Sequence, residues 1–250
     1  MVVRATSFKF YYSSPSRTTC VYRIWSGRSI SYGETNLDGV LDLVSRSKRP
    51  IQELAWASID NVLTAIQICE AHDCGVLVPW NSWRHEFYKP IGMLHDADRG
   101  GFIFAPEVGV HEDIHELNFS SLYPNIIYAR NVSPDVILCD CHCDRDDIPG
   151  LGYSICDERG YLVDILQPII DARDEIKAAI RCEQRREGPD EDQLSELEGW
   201  AGALKWILAA CFGYQGFSNT KFGRIECHEA IDAYAREILL TAKQRLEAGE

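Results

Sequence analysis

Two helical periodicities separated by a single turn signal constrain this chain more than any other feature. From Tyr161 to about Glu187, Leu162, Leu166, Ile169, Ile170, Ile176 and Ile180 recur at spacings of three, four and seven, laying an apolar stripe along one helix face. A second helical segment runs from about Ser195 to Phe212, with Lys205, Ala209 and Phe212 on a shared face. Gly188 and Pro189 between them read as a turn, and Asp190, Glu191 and Asp192 suit the positive end of the next helix dipole. Helices joined this closely fold back as an antiparallel hairpin. Position 189 is midway between Arg173 and Lys205, so the hairpin sets both cations at one height. Arg173 also falls seven residues from Leu166 and from Ile180, close to the inward stripe. A guanidinium fork beside a mobile ammonium suits phosphate oxygens. The competing reading is that both cations pair with the many acidic residues nearby.

Upstream the period changes. Ile114, Glu116 and Asn118 alternate with His115, Leu117 and Phe119, a strand pattern with one mostly apolar face that projects Asn118 from the other. Ser121 to Pro124 breaks the strand, and Pro124 fits the first turn of a short helix over residues 125–129. Tyr123 then stands near the strand end, where an aromatic anchor for the turn is the simplest role.

The stretch Asn118-Phe119-Ser120-Ser121-Leu122-Tyr123-Pro124-Asn125-Ile126-Ile127 resembles the first catalytic motif of B-family DNA polymerases. The resemblance continues in Lys205-Trp206-Ile207-Leu208-Ala209-Ala210-Cys211-Phe212-Gly213, similar to the family's finger-helix motif of a lysine, three variable residues and Asn-Ser-x-Tyr-Gly. Lys221 to Ile231 is similar to the family's return from fingers to palm, and Gly100-Gly101-Phe102-Ile103-Phe104-Ala105-Pro106 to the approach to its palm. The likeness extends from about Ser45 to Gln244, and within the family it points to archaeal forms with degenerated catalytic motifs.

That resemblance implies an α+β fold, a partial polymerase palm sheet with an antiparallel helical fingers hairpin. The divisions are an N-terminal lead-in over 1–99, a partial palm with a cysteine-rich insertion over 100–160, fingers and return segment over 161–227, and a palm helix over 228–250. It further implies Tyr123 as a steric gate beneath the sugar of an incoming nucleotide, and Arg173, Lys205, Phe212 and Gly213 around its phosphates and base. Arg46, Lys48, Arg49, Gly100 and Gly101 are the expected DNA contacts.

Chemistry is where the chain departs from the pattern. Asn118 stands where the family has a metal-binding aspartate, and an amide offers a neutral carbonyl in place of a charged carboxylate. Ala209, Ala210 and Phe212 replace the finger-helix Asn, Ser and Tyr. The 250 residues contain no later Asp-Thr-Asp motif, and Glu116 lies roughly 6–7 Å along the strand from Asn118, far for rebuilding the same metal position. The expected function is therefore a nucleotide- or DNA-interacting subunit, inactive alone. One part of a split or truncated polymerase completed by another chain is the first alternative, and a structural protein-binding module the second. Magnesium is expected only if a partner completes the site, and that partner would be a complementary polymerase or a replication or repair subunit.

Cys139, Cys141, Cys143 and Cys156, with His142 among them, form the one cysteine cluster. Structural zinc, a disulfide and reduced thiols are all open at this stage, because alternate residues of an extended segment share a face but are strung out along it unless the backbone turns. A net charge of −13 repels phosphate at long range and demands a local basic patch, for which Arg46-Ser47-Lys48-Arg49 is the clearest candidate. No apolar run approaches 18 residues, so no membrane partner and a cytoplasmic location are expected.

Overall fold

The computed structural model describes residues 37–54, 57–75, 77–78, 80, 88–97, 103–105, 108–112, 117–141, 145–217 and 219–248. Residues 1–36 of the expected N-terminal lead-in, together with Gly100, Gly101, Glu116, His142 and Cys143, lie outside the described residues. Eight helices are described: α1 (Leu37–Ser47), α2 (Ile51–Leu54), α3 (Ile59–Asp73), α4 (Ile91–Ala97), α5 (Leu122–Ala129), α6 (Tyr161–Gln184), α7 (Glu191–Gly216) and α8 (Ile225–Ala248). Two short antiparallel strands, β1 (Arg145–Asp147) and β2 (Ser154–Cys156), are the only sheet among them. The described structure is thus rich in helix, and a palm sheet is not part of it. Residues 117–119, expected to end a strand, have no regular secondary structure. Among the described residues no strand pairs with this segment, and an unpaired strand is not stable by itself.

Helix α7 is the centre. It packs against α1, α3, α5, α6 and α8, and its buried residues, including Gly199, Gly202, Leu204, Leu208, Cys211 and Tyr214, occupy several sides of the helix. A helix covered on several sides loses the single-stripe amphipathic pattern, and small residues such as Gly199, Gly202 and Ala203 let neighbours come close. Asp190 caps its start, its Oδ1 accepting from the backbone N–H groups of Asp192 (3.0 Å) and Gln193 (3.2 Å). Gly188, at φ 114°, carries the turn from α6 in a region that side chains avoid. The core continues through Leu43, Leu63, Ile127, Leu162, Leu166 and Ile231, all buried.

Polar staples fix the connections. Arg224, just before α8, donates from Nη1 to the carbonyls of Pro134 (3.0 Å) and Ile137 (2.8 Å), tying the return segment to the loop after α5. Asn131, in the left-handed region at φ 54°, donates to the carbonyls of Cys156 and Glu158 and accepts from the Gly160 N–H, so the same loop holds the entry to α6. A Cβ at Gly160 would sit 2.3 Å from Ser133 Cβ and 3.2 Å from Val136 Cγ2. Gly160→Ala must therefore push two buried neighbours apart, and a loss of about 1–3 kcal/mol is expected. Urea denaturation measures it; an unchanged midpoint would show that the loop yields without cost.

Candidate functional site

Helix α5 begins at the residues that follow Asn118. Its N-cap, Ser121, is left-handed at φ 49°, ψ 47°, and uses no side-chain cap bond of its own. Instead its hydroxyl accepts from Arg173 Nη1 at 3.0 Å, and the neighbouring Ser120 hydroxyl accepts from Lys177 Nζ at 3.2 Å. Arg173 and Lys177 are one turn apart on α6, so a single helix face supplies both contacts. Pro124 falls in the first turn, where its missing N–H costs nothing.

Across the hairpin, Arg173 and Lys205 line one cavity of about 430 Å³, together with Ile180, Glu198, Ala201 and Gly202. Arg173 is half-buried, and its Nε, wholly buried, has no hydrogen-bond partner among the described residues. Burial holds the Arg173 guanidinium below its usual range despite the opposing pull of Asp174. The Lys177 ammonium is held down as well, first by burial and then by the neighbouring Arg173 charge. Withdrawal from water and like-charge crowding both disfavour a cation, so this face is electrostatically poised for an anion. Glu198 in the same wall offsets part of that field.

Tyr123 and Phe212 do not line this cavity. Their rings stack, with centroids 4.2 Å apart and planes inclined by 15°. Phe212 stacks in turn on His228 of α8, at 4.0 Å and 20°. Gly216 makes room for that ring, since a Cβ there would meet His228 Nδ1 at 2.9 Å. One face of Tyr123 is thereby occupied from α7, and burial, reinforced by Asp232, raises its phenol above the usual range. Gly213 is exposed and a Cβ there would meet nothing within 4 Å.

Lys177, Ser121 and His228 were not singled out by the sequence. The one-turn spacing from Arg173 was a usable signal for Lys177; nothing local marks Ser121 or His228, which reach the site from other elements. Of the basic run at the end of α1, Arg46 is paired with Asp42 at 2.8 Å, Lys48 is exposed at φ 54°, and Arg49 is partly buried.

Asn118 is exposed. The only group of three or more metal-ligating side chains there is Cys139, Cys141 and Cys156. Three thiols do not fit magnesium, which takes charged oxygen ligands, and the Asn118 amide offers it only a neutral oxygen.

Residues 70–250 match the sequence profile of DNA polymerase family B. The chain belongs to DNA polymerase family B. It is 32% identical over 202 residues to DNA polymerase 2 of Saccharolobus solfataricus, covering 80% of this chain and 29% of that relative. DNA polymerase 2 of Aeropyrum pernix is 30% identical over 214 residues, 84% of this chain and 25% of the relative. The family B DNA polymerase structure from Pyrobaculum calidifontis superposes with a TM-score of 0.64 at 25% identity, covering 85% of this chain and 27% of that one. This B-family chain thus spans less than a third of the length of these archaeal relatives. Among its described residues, no helix is long and apolar enough to cross a membrane.

Proposed function

We propose that this family B chain binds a deoxynucleoside triphosphate or DNA and does not transfer nucleotides by itself. The observation that carries the binding half is the cavity between α6 and α7, which Arg173 and Lys205 line together. Triphosphate oxygens would satisfy the guanidinium and neutralise the crowded cations of α6, with charge-assisted hydrogen bonds to Arg173 and Lys205. Tyr123 and Phe212, stacked beside the turn that Arg173 holds, would meet the sugar and base. Lys48 and Arg49 would touch a template backbone. The noncatalytic half rests on Asn118 itself, whose amide offers magnesium a neutral oxygen in place of a carboxylate.

A second reading is favoured by one observation. Leu117 and Phe119, which flank Asn118, are 52% and 43% exposed. A polypeptide that brought the missing carboxylates would cover this apolar surface, making the chain one part of a split polymerase.

Calorimetric titration with a deoxynucleoside triphosphate tests the clamp. Arg173→Lys and Lys205→Ala are each expected to weaken binding by about 1.5–3 kcal/mol, roughly tenfold to more than a hundredfold. Unchanged affinity in both variants would remove the clamp and leave the scaffold as a structural module.

A further inference from the structure

We infer that Cys139, Cys141 and Cys156 supply three of the four ligands of a structural zinc ion that pins the loop entering α6. The site is separate from the nucleotide cavity and does not depend on it. Their ligating atoms all lie within 4.8 Å of one another, and the Cys141 and Cys156 sulfurs are 3.3 Å apart. Zinc–thiolate bonds of about 2.3 Å in a tetrahedron set sulfurs about 3.8 Å apart, within reach of three sulfurs that all lie inside 4.8 Å of one another. A disulfide would need the two sulfurs at about 2.05 Å and would use only two of the three thiols.

The backbone explains why three cysteines from one extended-looking stretch converge. Leu138 is left-handed at φ 45°, which turns the chain immediately before Cys139. Cys156 ends β2, held there by its N–H to the Val136 carbonyl at 3.0 Å, while the Leu138 N–H donates to Ser154 O at 2.9 Å. Residues 136–138 therefore run antiparallel beside β2, and the turn after them brings Cys139 and Cys141 to Cys156. The surroundings suit thiolates: Cys156 is 4% exposed, Cys139 and Cys141 pack against the core, and the Glu158 N–H donates to Cys156 Sγ at 3.4 Å. Such outer hydrogen bonds orient a ligating sulfur and stabilise its charge. Binding releases the thiol protons to solvent as each sulfur takes up the metal.

The consequence is positional. Cys156 belongs to the segment that Asn131 fastens at the entry to α6, the helix that carries Arg173 and Lys177. Zinc would lock that segment onto the core it packs against.

The test is metal content and cobalt spectroscopy of the full chain, purified under reducing conditions with zinc present. One zinc per chain is expected, and Co²⁺ substitution should give the intense sulfur-to-cobalt charge-transfer band of thiolate ligation. Cys139→Ser and Cys141→Ser should each lose the retained zinc, whereas Cys182→Ser, exposed near the end of α6, should keep it. Should Cys156→Ser fail to fold, the two half-buried positions and the wild-type cobalt titration still decide the matter. No retained zinc together with no charge-transfer band in the wild type would overturn the assignment. So would a Cys141–Cys156 disulfide in protein whose thiols are blocked before lysis, or equal zinc loss in Cys182→Ser.

Discussion

Glu229→Ala is expected to cost the fold about 3–5 kcal/mol, the penalty for leaving a buried charge without its counter-ion. Lys89 Nζ and Glu229 Oε1 are 2.6 Å apart, with side chains 0% and 7% exposed. The Tyr153 hydroxyl donates to Glu229 Oε2 at 2.6 Å, so one carboxylate joins the segment before α4, the β1–β2 connection and α8. Removing it strands both an ammonium and a phenol donor in the interior. Replacing the pair together, as Lys89→Met with Glu229→Leu, should recover most of the loss, because neither charge then has to leave water. Urea denaturation of the single and double variants measures the difference. A single-variant loss below about 1 kcal/mol would mean that water reaches Lys89 and that the pair does not hold these elements together.

No template-dependent primer extension above the no-protein control is expected from a chain of these 250 residues, with either magnesium or manganese. Phosphoryl transfer needs metal held against the attacking hydroxyl and the departing pyrophosphate. Asn118 contributes only a neutral oxygen, and Asn118→Asp restores one charged ligand where more than one is required. That variant should stay inactive as well. Reproducible template-dependent addition by the purified chain would overturn the noncatalytic reading outright. Activity appearing only when a second polypeptide carrying the Asp-Thr-Asp motif is added would instead establish the split polymerase, and with it a use for the exposed Leu117 and Phe119.

The helices and their pairing were legible in the sequence because they are local. Leu162, Leu166 and Ile169 lie three or four residues apart, and an α-helix converts that spacing directly into one face. The turn at Gly188 and the cap at Asp190 are likewise chosen by residues within a few positions of the break. Family membership was readable for a related reason: Asn118 to Ile127 and Lys205 to Gly213 are contiguous strings whose order survives several replacements. Counting from the turn between them set Arg173 and Lys205 near one another, and both line one cavity.

Only the tertiary structure decided which groups meet across long separations. Arg173 against Ser121, Phe212 between Tyr123 and His228, and Lys89 beside Glu229 join elements tens of residues apart, and no periodicity encodes such a meeting. The cysteines show the difference most sharply. Their spacing left zinc, a disulfide and separate thiols open, with separate thiols favoured, since an extended backbone would string them out. The left-handed turn at Leu138 and the pairing that holds Cys156 bring three sulfurs together. Local sequence sets which way a side chain leaves its own helix or strand; the packing of those elements sets what it finds there.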